Sequence, residues 1–104
     1  MLKSVPVDYE NLKLFRDIAQ TRSFSRAASM NQVSQSAATQ SVHRVEQHFA
    51  AQLVDRSKRP FVLTPEGQAA YEGFREVLEL YDSVEARVRS LRMEISGLVR
   101  VAAI

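Results

Sequence analysis

The stretch that decides the fold is FSRAASMNQVSQSAATQSVHRVEQHF, residues 24–49. It opens with a short run, Phe24 to Met30, that Ser23 or Ser25 can cap as a helix, because a serine hydroxyl accepts one of the first free backbone N–H groups. Asn31-Gln32-Val33 reads as a turn, and Ser34 stands as the next N-cap. From there Ala37, Ala38, Val42, Val45 and Phe49 recur at helical spacing and mark a helix running to about residue 49. A short helix, a tight turn and a longer helix is the helix-turn-helix layout. Ala27 and Ala28 on one helix, and Ala37 and Ala38 on the next, let the two cross steeply with close backbones, where larger side chains would hold them apart. Any helical hairpin can use alanines in this way, so the flanking sequence has to decide.

Upstream, Asp8 is a good N-cap, with Val7 and Leu12 placed across it as a hydrophobic staple. Leu12, Phe15, Ile18 and Ala19 then predict an amphipathic helix of about three turns. Downstream, Leu53-Val54-Asp55-Arg56 and Phe61-Val62-Leu63-Thr64 are short β-prone stretches around Ser57-Lys58-Arg59-Pro60, and read as a hairpin with a cationic tip. Helix-turn-helix followed by a basic hairpin is the winged variant of the motif. Arg56, Lys58 and Arg59 would be ordinary solvated charges in most loops; directly after a candidate recognition helix they are placed for phosphate or minor-groove contact.

Thr64 can cap a fourth helix with Pro65 in its first position and Glu66 in its first turn. Ala70, Phe74, Val77, Tyr81, Val84, Val88, Leu91 and Ile95 alternate in steps of four and three, an unbroken heptad seam. The small head cannot cover such a seam. Another copy of the chain or a further domain could; strict alternation with charged residues between suits a helix pair best. Gly97 is expected to end this helix. Leu98-Val99-Arg100-Val101-Ala102-Ala103-Ile104 reads as a strand with no partner, as expected of the first strand of a second domain in a longer protein. The expected architecture is therefore mainly α: a winged helix-turn-helix over residues 1–64 (three helices and a two-stranded hairpin), a dimerising linker helix over 65–96, and the start of a further domain over 97–104.

Charge divides the chain in the same place. The 104 residues carry 14 Lys+Arg against 12 Asp+Glu. Residues 1–64 hold nine against five, a balance of +4, and residues 65–104 hold five against seven, a balance of −2. A basic head on a mildly acidic body is the footprint of a polyanion binder. The chain has no Cys, which excludes disulfides and thiolate zinc sites, and no apolar run approaches the roughly 18 residues of a membrane span. Met1 to Tyr9 lacks the apolar core of a signal peptide, so a cytoplasmic location is expected. Catalysis is not expected, nor a cofactor: His43 and His48 lie about 140° apart round a helix, and there is neither an HExxH pair nor a glycine-rich phosphate loop. A purely structural coiled-coil protein would explain the seam, but not the basic hairpin or the polar cluster after Ser34.

These residues also resemble a family. Ala27-Ala28, Ser34-Gln35-Ser36-Ala37-Ala38-Thr39, Val45-Glu46, Leu53, Arg56 and Leu63-Thr64-Pro65-Glu66-Gly67 resemble the N-terminal domain of LysR-type transcriptional regulators, colinearly over about residues 8–95. Met30, Val45 and Phe49 stand where the family usually has Leu, Val54 where Phe is frequent, and Ala50 where Gly is usual. The Ala50 exchange bears on the turn that leaves the recognition helix. The resemblance implies sequence-specific binding of double-stranded DNA, dimerisation through the linker helix along Ala70 to Ile95, and higher oligomers of the full-length protein. It also implies a small-molecule effector bound by a C-terminal periplasmic-binding-protein-like domain, with Leu98–Ile104 as its first strand. Gln35, Ser36, Thr39 and Gln40 match the base-facing positions, and Arg59 matches the wing residue of the minor groove. The outer face of the helix offers Ser34, Gln35, Ser36, Thr39, Gln40 and His43: Gln can pair bidentately with adenine, and Thr can touch a thymine methyl. A dimer presenting two such helices fits an inverted repeat with A·T-rich sequence beside each half-site, where the narrow minor groove attracts Arg.

Overall fold

In the computed structural model the backbone is described for residues 5–103 and the side chains for residues 5–95. The order of elements is α1 (Tyr9–Thr21), α2 (Phe24–Met30), α3 (Gln35–Phe49), β1 (Val54–Asp55), β2 (Val62–Leu63) and α4 (Pro65–Ala103). Each helix start has a local cause. The Asp8 carboxylate accepts the Asn11 N–H at 3.0 Å while the Asn11 side chain accepts the Asp8 N–H at 3.0 Å, a reciprocal capping box on α1. Ser23 caps α2 through the Arg26 N–H, and Ser34 caps α3 through the Ala37 N–H, each at 3.0 Å. Thr64 starts α4: its hydroxyl accepts the Gly67 N–H at 2.9 Å and donates to the Gln52 carbonyl at 2.6 Å. At the end of α3, Ala50 takes the left-handed conformation, φ 53°, in a position that glycine usually fills. The alanine therefore keeps the turn, at the cost of its Cβ in a crowded region.

The core joins α1, α2 and α3 to the base of the wing. Phe15 and Ile18 from α1, Ala27 and Ala28 from α2, Ala38, Val42 and Val45 from α3, and Leu53 and Val54 are all buried. Ala38, not the Ala37–Ala38 pair, makes the close crossing. Ala37 is exposed, because one residue along a helix turns the side chain about 100° away from the core. Ser41 takes the place on the inner face, accepting from Asn11 Nδ2 at 2.8 Å. Phe49 lies at the edge, 40% exposed, its ring 6.1 Å from Phe74.

β1 and β2 pair antiparallel, Val54 opposite Leu63 and Asp55 opposite Val62. The wing is tied to α3 by Glu46, whose carboxylate accepts the N–H groups of Leu53 at 2.8 Å and Val54 at 3.2 Å. Leu53 returns its carbonyl to the Thr64 N–H at 3.0 Å. Gly67 then brings α4 directly onto Leu53: a Cβ at Gly67 would lie 2.8 Å from the Leu53 carbonyl carbon and closer still to its oxygen.

Two expectations for α4 need correction. Phe74 belongs to the chain's own core, edge-on to Phe15 at 5.6 Å, and Ala70 packs against that core. Because Gly67 seats α4 on the head, its first turns lie along α1, and Leu78, off the heptad seam, is buried. The seam that remains uncovered begins at Val77. The second correction concerns Gly97 and the expected strand. The helix runs through Gly97 to Ala103, so residues 98–103 are helical and Ile104 lies outside the described residues. Among the described residues no glycine adopts a positive φ, and the sheet has two strands, β1 and β2. A strand there would have no neighbour for its backbone groups, whereas a helix satisfies them internally.

Replacing Gly67 by Ala should cost about 1–3 kcal/mol, since the obstacle is backbone and cannot swing aside; thermal unfolding monitored by circular dichroism checks this. Replacing Glu46 by Ala should cost about 1–3 kcal/mol by orphaning two N–H donors. Glu46→Gln, which keeps an acceptor oxygen, should retain most of the stability.

Candidate nucleic-acid interface

The inner face of α3 is occupied by Ala38, Ser41, Val42 and Val45. Burying that face turns the opposite one outward. At about 100° per residue, Gln35, Ser36, Thr39, Gln40 and His43 share an arc of about 140°. Gln35, Ser36, Gln40 and His43 are exposed and Thr39 is half-buried, so the uncharged polar cluster expected from the sequence forms one surface. Ser34 sits at its N-terminal edge, its oxygen committed to the Ala37 N–H, with the hydroxyl proton left to donate. Gln47, one turn beyond His43, falls on the same arc and is also exposed.

The turn before α3 is held by a buried carboxylate that the sequence reading missed. Asp17, 3% exposed, accepts from Asn31 Nδ2 at 2.9 Å and from Arg16 Nε at 3.0 Å. Asn31 Nδ2 also donates to the Ala27 carbonyl at 2.8 Å, so α1 and the end of α2 jointly fix where α3 begins. The available signal was an Asp on the same helical face as Leu14 and Ile18, where an unpartnered charge would be costly.

On the wing, Arg56, Lys58 and Arg59 are exposed. The Asp55 carboxylate accepts the Ser57 hydroxyl at 2.6 Å and the Ser57 N–H at 3.0 Å, and these hydrogen bonds, hydroxyl first, hold its carboxyl below the usual range. It therefore stays ionised and shapes the tip. Arg56 reaches back from the wing: its guanidinium carbon stands 5.0 Å from the centre of the Phe24 ring, and one terminal nitrogen is 3.5 Å from His43 Nε2. The structure thus brings Arg56 beside the α3 face, while Lys58 and Arg59 stand out on the tip.

Along α4, Val77, Tyr81, Val84, Val88, Leu91 and Ile95 are each about half exposed, between 45% and 61%. Val77 also lines an apolar groove of about 530 Å³ with Phe49, Ala51, Leu53, Gly73 and Phe74. The Tyr81 ring lies 4.8 Å from that of Tyr9, whose hydroxyl donates to Asp82 at 3.4 Å and so links α1 to the helix beyond the head. Burial, and then the negative Asp82, push the Tyr9 phenol above its ordinary value. Among the described residues no three His, Cys, Asp or Glu are placed to hold a metal ion, and no helix is long and apolar enough to cross a membrane. His48 is on another side of the head, its Nδ1 2.8 Å from the Val5 carbonyl.

Comparison with known proteins agrees with this geometry. Residues 9–68 match the family described as bacterial regulatory helix-turn-helix protein, lysR family. The uncharacterized HTH-type transcriptional regulator YfeR of Shigella flexneri is 38% identical over 94 residues, 90% of this chain and 30% of that protein. Among solved structures, Vibrio fischeri DarR in complex with DNA superposes with a TM-score of 0.78 at 27% identity, over 85% of this chain and 30% of that one. BenM_DBD in its complex with benA site 1 DNA gives a TM-score of 0.78 over 82% of this chain and 96% of that one; at 24% identity this likeness speaks for the fold alone. The chain spans about a third of the length of such full-length relatives. With a matched segment that runs from the first turn of α1 into the start of α4, this chain belongs to the lysR family of bacterial regulatory helix-turn-helix proteins.

Proposed function

We propose that this chain binds double-stranded DNA sequence-specifically as a homodimer and regulates transcription. The observation that carries the reading is the uncharged polar face of α3, exposed beside a wing whose Arg56 touches it at His43. Gln35, Ser36, Thr39 and Gln40 meet base edges in the major groove, with Ser34 and His43 at either end of the contact. Arg56 and Lys58 meet phosphates, and Arg59 enters the minor groove of an A·T-rich flank. DarR, the 27%-identical relative, was crystallised on DNA, which supports this reading.

Residues 1–64 are the DNA-binding unit and residues 65–96 the dimerising linker. The half-exposed seam from Val77 to Ile95, continuous at Val77 with the apolar groove, supports a second copy as its cover. Ala70 and Phe74 contribute by bracing the first turns from within the protomer. Two α3 helices related by a two-fold axis read an inverted repeat. Residues 97–104 lead towards an effector-binding domain for a small molecule, through which the whole protein assembles further and responds. The protein works in the cytoplasm, as a regulator and without catalysis.

Two experiments test this reading. At one fixed salt concentration, Gln35→Ala should weaken binding at a selected specific site by about 1–3 kcal/mol and leave random DNA nearly unaffected, because an amide reads bases but replaces no counterion. Arg59→Ala should weaken both and lower the salt slope by roughly one unit. Equal losses on both DNAs for Gln35→Ala would remove α3 as the reading element; no DNA binding by the wild type would favour a structural coiled-coil protein. In sedimentation equilibrium the wild-type chain should be a dimer at micromolar concentration. Val84→Glu, which sets two charges into the seam, should shift it towards monomer.

A further inference from the structure

Phe24 opens α2, and its ring is fixed from one side. It packs edge to face on Phe61, centroids 5.2 Å apart at 69°, and Phe61 is buried at the entry to β2. Its open face carries the Arg56 guanidinium at 5.0 Å, within the range of a cation–π interaction. His43 Nε2 accepts from the same guanidinium at 3.5 Å. Arg56 thus lies where α2, α3 and the wing meet. Among the described residues it forms no ion pair, and its neighbour Asp55 is taken up by Ser57. An exposed arginine normally gives up much rotamer freedom when it binds a phosphate. A guanidinium held over a ring has lost part of that freedom beforehand, and with one terminal nitrogen at His43 it keeps further N–H donors for phosphate oxygens.

We propose that Phe24 is a positioning residue for DNA-backbone binding: its ring pre-orders Arg56 beside the base-reading face of α3. The inference rests on the DNA-binding reading above and adds a residue with no polar atom of its own to the binding machinery. Phe24 acts only through Arg56, so its contribution should disappear when Arg56 does.

The test is a double-mutant cycle with specific and random duplexes, read by fluorescence anisotropy over a range of salt. Phe24→Leu keeps apolar bulk without a π face, and should weaken binding to both duplexes about two- to fivefold, the fold-change expected of an exposed cation–π contact. Phe24→Tyr, which keeps the face, should bind like the wild type. Arg56→Ala should weaken both duplexes and lower the salt slope by about one. In the Arg56→Ala background, Phe24→Leu should cost nothing further. A second measurement does not depend on the Leu variant folding: in the free wild-type protein, the Arg56 side-chain protons should show an upfield ring-current shift by NMR. An equal loss for Phe24→Leu with and without Arg56 would overturn the proposal, as would a neutral Arg56→Ala or the absence of the ring-current shift. If the wild type binds neither duplex while the ring-current shift is present, the DNA-binding reading itself fails, and the positioning role falls with it.

Discussion

The fold depends on two helices meeting at alanine. Ala27 and Ala28 of α2 and Ala38 of α3 are buried with almost no accessible surface, and each presents a single methyl group to the crossing. Helix axes can approach only as closely as the side chains between them permit, so methyl groups here let α2 and α3 pack closely. Phe15 and Ile18 of α1 fill the space behind it. Once that crossing is set, α3 has one side against the core and the other in water. The polar arc from Gln35 to His43 is the outward remainder of this packing, and Asp17 with Asn31 fixes the turn that feeds it.

A second constraint runs through a few backbone groups at Leu53. Glu46 accepts the N–H groups of Leu53 and Val54, Thr64 donates its N–H to the Leu53 carbonyl, and Gly67 lies against the same peptide. α3, the wing and α4 therefore converge on one residue's backbone. A buried N–H left without a partner is costly, and a carboxylate accepts two such donors at once. The wing is only two residues per strand, too short to be stable by its own pairing, and draws its position from these neighbours. These contacts fix the place of the wing relative to α3.

The long helix lives in two environments. Up to Leu78 it is part of the head, with Phe74 edge-on to Phe15 of α1 and Leu78 buried. Beyond that point its apolar stripe is half exposed, a surface that water disfavours at about 25 cal/mol per Å². A contiguous apolar stripe of this kind marks an interaction surface. Tyr9, its ring tilted against Tyr81 and its hydroxyl bonded to Asp82, ties α1 to the helix at the start of this stripe.

Local signals were sufficient for most of the chain. Caps at Asp8, Ser34 and Thr64, the helix-turn-helix spacing, the β-prone flanks of a basic turn and the 3-4 alternation are all written within a few residues of where they act, because capping, turn and helical periodicity are short-range effects. The polar cluster on α3 was legible for the same reason: residues four apart on a helix share a face. What tertiary structure alone decided is which side of each periodic stretch is taken by another element. Ala37 looks equivalent to Ala38 until α2 lands on one of them. Phe74 looks like a dimer residue until α1 covers it, and Leu78 shows no seam signal. The strand expected after Gly97 failed for a related reason, since strand propensity becomes a strand only where a neighbour supplies hydrogen bonds. Likewise the stacking of Arg56 on Phe24 joins residues 32 positions apart, a distance that only the folded chain closes.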